Sequence, residues 1–262
     1  MNRRIWGIVY RHFCLYRRSW PRLLELVYWP TLQMCIWGFT TSYLVSRGTN
    51  TAAVAAGALL GGVLLWEVTL RSQMGVAISF LEELYSRNLG HIFVSPIRPW
   101  ELLGAQVYVS IVRTLFGVLP AVGLAWVLYE YDLFAMGPVL VLFFANLMFM
   151  GWWIALSVVS LILRHGLGAE VLAWSVTFGI APLSAVFYPA SVLPAAVRPI
   201  ALALPSTHVF EGMRAALEGT VRWDHLVAAV GLNAVWSLAA AGLFAWQFQR
   251  ARSRGALLNL GE

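Results

Sequence analysis

Long hydrophobic blocks fill this chain, and short polar clusters separate them. Residues 3–22 stand apart. Ile5, Val9, Phe13, Tyr16 and Trp20 recur at helical spacing among Arg3, Arg4, Arg11, Arg17, Arg18 and Arg22. That pattern predicts a helix lying in the headgroup layer of a membrane, with a disordered basic tail as the alternative. Apolar runs then predict six membrane-spanning helices, at residues 23–45, 52–79, 101–129, 134–163, 171–186 and 226–248.

Within these runs a few polar residues stand out. Pro30 and Gln33 interrupt the first, where a kink is expected. The second begins with the small-residue stretch AAVAAGALLGGV, suited to close helix contact. It also carries Glu67 and Arg71, four residues apart and therefore on one helical face. An ion pair inside an apolar run costs less than either charge alone. Arg113 in the third run needs a protein neighbour or water, and Glu67 is its candidate partner. Asn146 is the main polar residue of the fourth.

Two stretches break the pattern. Residues 80–104, FLEELYSRNLGHIFVSPIRPWELLG, carry Glu82, Glu83, Arg87, Arg98 and Glu101 and two prolines, Pro96 and Pro99, with 80–98 as the connecting segment. The spacing of Leu81, Leu84, Tyr85, Leu89 and Ile92 predicts a short amphipathic helix before a proline-bounded bend. Such a segment fits either a docking element for a motor protein or a solvated connection. Residues 187–224 contain Pro189, Pro194, Pro199 and Pro205, so no uninterrupted helix crosses there. Val192 to Leu204 nevertheless stays apolar. Short helices entering part of one leaflet, followed by a polar helix over 207–217, are expected; an exposed loop is the alternative.

Composition agrees with a membrane setting. Hydrophobic residues make up 60% of the 262 and charged residues 11%, against about 25% charged in soluble domains. Mean hydropathy is +0.73. Thirteen Trp suit membrane interfaces. The net charge of +6 comes from arginines beside the apolar runs, which points to anionic lipid headgroups rather than nucleic acid. With the N-terminus inside, twelve arginines fall on the cytoplasmic side and Arg47, Arg198, Arg214 and Arg222 outside; Arg71 and Arg113 lie within spans. That bias places 80–98 in the cytoplasm, with both termini, and the proline-rich stretch outside.

Candidate chemistry is sparse. All 18 basic residues are arginine, so the lysine of a phosphate-binding P-loop is missing and any ATP use requires another subunit. No G-x-S-x-G elbow is present. His12, His91, His165, His208 and His225 have no metal-ligand spacing. Cys14 and Cys35 read as packing residues. The N-terminus is not read as a cleavable signal peptide. An enzyme is not expected.

Four features in order resemble the membrane subunit of ABC-2 type transporters, the exporter permeases for nodulation factors, drugs and lipid-linked polysaccharides. They are the basic amphipathic start, FLEELYSRNLGHIFVSPIRPWELLGAQ, AVFYPASVLP and LPSTHVFEGMRAALEG. The resemblance implies one all-α, polytopic transmembrane domain over 1–262. It has six spans, an N-terminal interface helix, a cytoplasmic coupling helix and an external re-entrant hairpin. It implies a partner ATPase that holds ATP and magnesium, a second permease chain (a homodimer or a related chain), and no cofactor on this chain. Glu82, Glu83, Tyr85, Arg87, Asn88 and His91 fall in the coupling region. Tyr188, Pro189, Pro194, Pro199 and Pro205 fall in the external gate. Glu67, Arg71, Arg113 and Asn146 are candidates along the translocation path. The expected setting is the bacterial inner membrane. A secondary transporter, expected to show inverted repeats and a midplane ion site, or a membrane assembly scaffold are the rival readings.

Overall fold

A computed structural model describes residues 3–47, 50–86 and 98–253. The described residues are helical and contain no strand. Among the described residues nine α-helices follow one another: α1 Arg3–Arg17, α2 Trp20–Arg47, α3 Asn50–Tyr85, α4 Pro99–Tyr129, α5 Val139–His165, α6 Val171–Ile180, α7 Arg198–Leu202, α8 Pro205–Leu217 and α9 Trp223–Ser253. Among the described residues, three helices are long and apolar enough to cross a membrane: Trp100–Tyr129, Val139–His165 and Trp223–Ser253.

The long helix α3 is the centre. It packs against α2, α4 and α5, while α9 lies on the far side of α5 with α8 against both. The position of α3 explains its composition. Thr69, Ser72, Gln73 and Ser79 are fully buried on it, and each hydroxyl or amide finds a carbonyl. Ser72 and Ser79 bond within the helix. Thr69 Oγ1 donates to Leu147 O on α5 at 3.4 Å, and Gln73 Nε2 to Ala173 O on α6 at 2.9 Å. Buried polar groups bonded in this way fix register between helices that hydrophobic packing alone leaves free to slide.

Two glycines permit close approaches between neighbouring long helices. A Cβ at Gly151 on α5 would meet the Thr69 and Gln73 backbones of α3 at 2.8 Å and would collide with the Ser72 hydroxyl. Gly117 on α4 sits against the Leu26 carbonyl of α2, 2.8 Å from where its Cβ would be. That carbonyl lacks its usual donor four residues on, because Pro30 has no N–H. The helix runs on through Pro30, and the neighbouring glycine covers the gap.

The connections sort to two poles. At one, Gly61 of α3 lies beside Tyr131 and Met213, and Gly62 beside the Val186 carbonyl. At the other, Glu83 meets Arg11 of α1 and Glu170 meets Tyr85. Residues 80–86 and the proline-rich stretch therefore lie at opposite ends of the bundle.

Several helix limits differ from those expected. The basic stretch 3–22 is two helices, not one. The chain turns at Arg18 and Ser19, and α2 starts at Trp20. Residues 80–85 are the last turns of α3 rather than a separate helix; Phe80, Leu81 and Leu84 are buried there, so their spacing serves packing. Residues 87–97, including Arg87, Asn88 and His91, lie outside the described residues. The apolar run 171–186 is helical only to Ile180, then a 3-10 turn at Ala181–Leu183 and a left-handed Ala185 (φ 53°) redirect it. Ten residues of helix span about 15 Å, half a hydrocarbon core.

Candidate functional site

The coupling pole is built from α1 upward. Helix α1 rests on α4 through Ile5, Ile8 and Val9 against Ala105 and Val109, with Trp6 edge-on to Tyr108 at 6.2 Å. Ion pairs then pin this layer. Arg4 Nη1 lies 3.6 Å from Glu101, Arg11 Nη1 2.5 Å from Glu83, and Arg22 Nη1 3.2 Å from Glu82. Glu83 and Glu101 are each 1% exposed. Glu101 also accepts the Arg98 backbone N–H at 2.9 Å. It thereby caps α4 behind Pro99, which stands in the first turn, where a missing N–H costs nothing. The opposite side of α1 leaves Tyr10 and Phe13 exposed beside its arginines, the surface of a helix at headgroup depth.

The two carboxylates expected to meet a partner are thus engaged within the chain. Glu83 holds α1 and Glu82 holds α2, whereas Tyr85 projects half-exposed. Its phenol donates to Glu170 at the start of α6, and this bond pushes its pKa up to about 12. Burial raises the pKa of Tyr16, on the underside of the same region.

Above this layer, Glu67 and Arg71 form the expected pair: Arg71 Nε donates to Glu67 Oε2 at 3.2 Å, with both side chains largely buried. The suggested Glu67–Arg113 pair does not form. The Arg113 guanidinium instead lies 5.0 Å from the centre of the Tyr16 ring. Its Nη1 is buried with no hydrogen-bond partner among the described residues. Arg113 faces a cavity of about 220 Å³ bounded by α2, α3, α4 and α6, whose walls include Glu25, Gln33, Glu67 and Arg71. A second hollow of about 200 Å³ shares Glu25, Ile78, Arg113 and Trp174 with the first and leads toward Tyr85 and Glu170.

Asn146 belongs to a different place. It sits between α5 and α9, where Asn233 Nδ2 donates to its Oδ1 and its backbone oxygen, both at 3.0 Å, and Trp153 Nε1 donates to Asn233 Oδ1 at 3.1 Å. Asn233 was not singled out from sequence, although an amide inside the apolar run LVAAVGLNAVWSL was the available signal.

At the other pole the prolines start elements. Pro189 precedes the 3-10 turn Ala190–Val192, Pro199 lies in the first turn of α7, and Pro205 opens α8. The hairpin is fastened to α8. Glu211 Oε1 accepts the Ala190 N–H at 2.7 Å, Arg214 donates to the Ala185 carbonyl at 2.9 Å, and Thr207 donates to Ala201 O at 2.6 Å. Pro194 O accepts from Val197 N, and Tyr188 reaches back to Pro182 O.

The sequence profile of the ABC-2 type transporter family matches residues 3–217, most of the chain and all of the architecture just described except α9. The chain belongs to the ABC-2 type transporter family. No curated protein matches it. In an ABC-2 transporter this kind of chain is the multi-pass membrane component, the permease subunit, and not the catalytic one; the family works with an ABC ATPase. Among the described residues no group of His, Cys, Asp and Glu is arranged to hold a metal.

Proposed function

We propose that this chain is the permease of an ATP-driven exporter that moves an amphipathic or lipid-linked compound outward across the bacterial inner membrane. The observation that supports this most is the clip at the coupling pole. On a chain of this family, α1 is bound by ion pairs to the ends of α3 and α4 that flank residues 87–97. A push on that connection is therefore shared by α1, α3 and α4 rather than absorbed by a loop.

In this reading α2, α3, α4, α5, α6 with the hairpin, and α9 make six passages. Both termini are cytoplasmic, and residues 80–98 are the coupling segment. The ATPase docks on Tyr85, Arg87, Asn88 and His91, while Glu82 and Glu83 act as positioning residues through Arg22 and Arg11. ATP and magnesium bind the ATPase and none binds here. Two permease chains, identical or related, meet across the first and fifth passages. Tyr188, Pro189, Pro194, Pro199 and Pro205 form the external gate. ATP does work only by binding two states of the complex unequally.

Co-expression with its ABC ATPase tests this. The two are expected to co-purify and, in proteoliposomes, to move a labelled lipid or glycolipid only with ATP. Transport by the chain alone, with no ATPase and no ATP, overturns the proposal.

A further inference from the structure

The cavity around Arg113 has a charge pattern that the transport reading does not use. Arg71 on its wall is already matched by Glu67, and Arg22 in the adjoining hollow by Glu82. That leaves Arg113, with its buried and unmatched Nη1, and Glu25 across the same space. Glu25 and Glu67 balance Arg71 and Arg113 on the cavity's own walls, and Glu170 adds an acid in the adjoining hollow, so a purely anionic guest leaves Glu25 unmatched. A guest carrying a negative and a positive group meets complementary walls. Trp29 and Trp174 line the same cavity as Glu25, and indole faces attract ammonium groups. Met74 and Phe178 supply an apolar continuation upward. The depth fits too. Arg113 stacks over Tyr16 of the interface helix, which marks the headgroup layer.

We propose that this cavity binds a membrane amphiphile whose head joins a phosphate to an ammonium group. The phosphate sits on Arg113, the ammonium between Glu25 and the two indoles, and the acyl chains along Met74 and Phe178. The inference rests on the membrane placement given above but needs neither the ATPase nor transport.

The test uses the full chain in nanodiscs of phosphatidylglycerol, with trace lipids bearing a photoreactive group near the head. Three probes are compared: phosphatidylethanolamine, phosphatidylglycerol and diacylglycerol. Labelled peptides are mapped by mass spectrometry. The ethanolamine probe is expected to label segments 23–33 and 171–178 about ten-fold above diacylglycerol and about three-fold above the glycerol probe. Arg113→Gln removes that preference over diacylglycerol, Arg113→Lys keeps part of it, and Glu25→Gln brings the ethanolamine and glycerol probes level. Arg222→Gln, at an exposed pair elsewhere, leaves labelling unchanged, and matching elution profiles guard against misfolding. Equal labelling by all probes, indifference to Arg113→Gln, or displacement by millimolar inorganic phosphate overturns the site. Loss of labelling with ATP-dependent transport intact would sink the site alone. Retained labelling with no ATPase partner would sink the permease reading alone.

Discussion

At the scale of single residues, the Arg11–Glu83 pair decides how α1 is held. Glu83 is buried and Arg11 is 42% exposed, so solvent screens part of their attraction. Removing either partner loses the ion pair and its charged hydrogen bond, at a cost of about 1–3 kcal/mol. Glu83→Ala and Arg11→Ala are each expected to raise hydrogen exchange in α1, and the double variant to add little to either. Additive effects would mean that the two side chains do not act as a pair. Tyr85 gives a pH prediction. Its folded pKa lies above its ordinary value of 10.0 because Glu170 accepts the phenol's hydrogen bond. The stabilisation is therefore complete below about pH 10 and fades as pH rises toward 12. A difference titration against Tyr85→Phe should show one phenol ionising near pH 12; ionisation near 10 would remove Glu170 from its side. These partners were hidden in the sequence for a physical reason. Glu82, Glu83, Arg11 and Arg22 are legible as charges beside apolar runs, but which arginine reaches which carboxylate depends on the turn at Arg18 and Ser19. Pro21, in the first turn of α2, marks a new helix there but not the direction in which the chain turns.

At the scale of elements, the proline-rich stretch holds its shape through α8 rather than through its own short helices. A five-residue helix such as α7 has almost no stability alone. Glu211 is the main fastening, and without it the buried Ala190 N–H loses its acceptor. Glu211→Ala is expected to weaken the hairpin by about 1–3 kcal/mol. Exchange and proteolysis should rise across residues 187–204 while α3 and α5 stay protected. Unchanged protection there would mean that packing alone holds the hairpin. The breaks in this stretch were readable from the prolines, because each one forbids a continuing helix and favours a first turn. The early end of α6 carries the same signal in Pro182, masked by a run that stays apolar past Ile180, and the left-handed Ala185 completes the turn. The fusion of residues 80–85 with α3 was equally hidden, because one helical spacing serves both a separate amphipathic helix and the buried end of a long one.

At the scale of the whole molecule, two poles joined by buried polar seams make a body suited to transmitting a push. Thr69, Gln73 and Ser110 lock α3 to its neighbours, and Asn146 with Asn233 locks α5 to α9. The ionic clip sits at one end and the fastened hairpin at the other. The membrane character and helical class were plain from composition, whereas the central place of α3 followed only from where its small and polar residues met partners. The central proposal is that the pole bearing Glu82, Glu83 and Tyr85 is cytoplasmic and is where an ATPase binds. The most direct measurement places Tyr85→Cys or Asn88→Cys in a chain carrying Cys14→Ser and Cys35→Ser. A membrane-impermeant maleimide is then applied to sealed vesicles of each orientation, with and without the ATPase subunit. Labelling only from the cytoplasmic face, blocked when the ATPase is bound, is the predicted result. Labelling from the external face, or labelling that the bound ATPase leaves untouched, would contradict it.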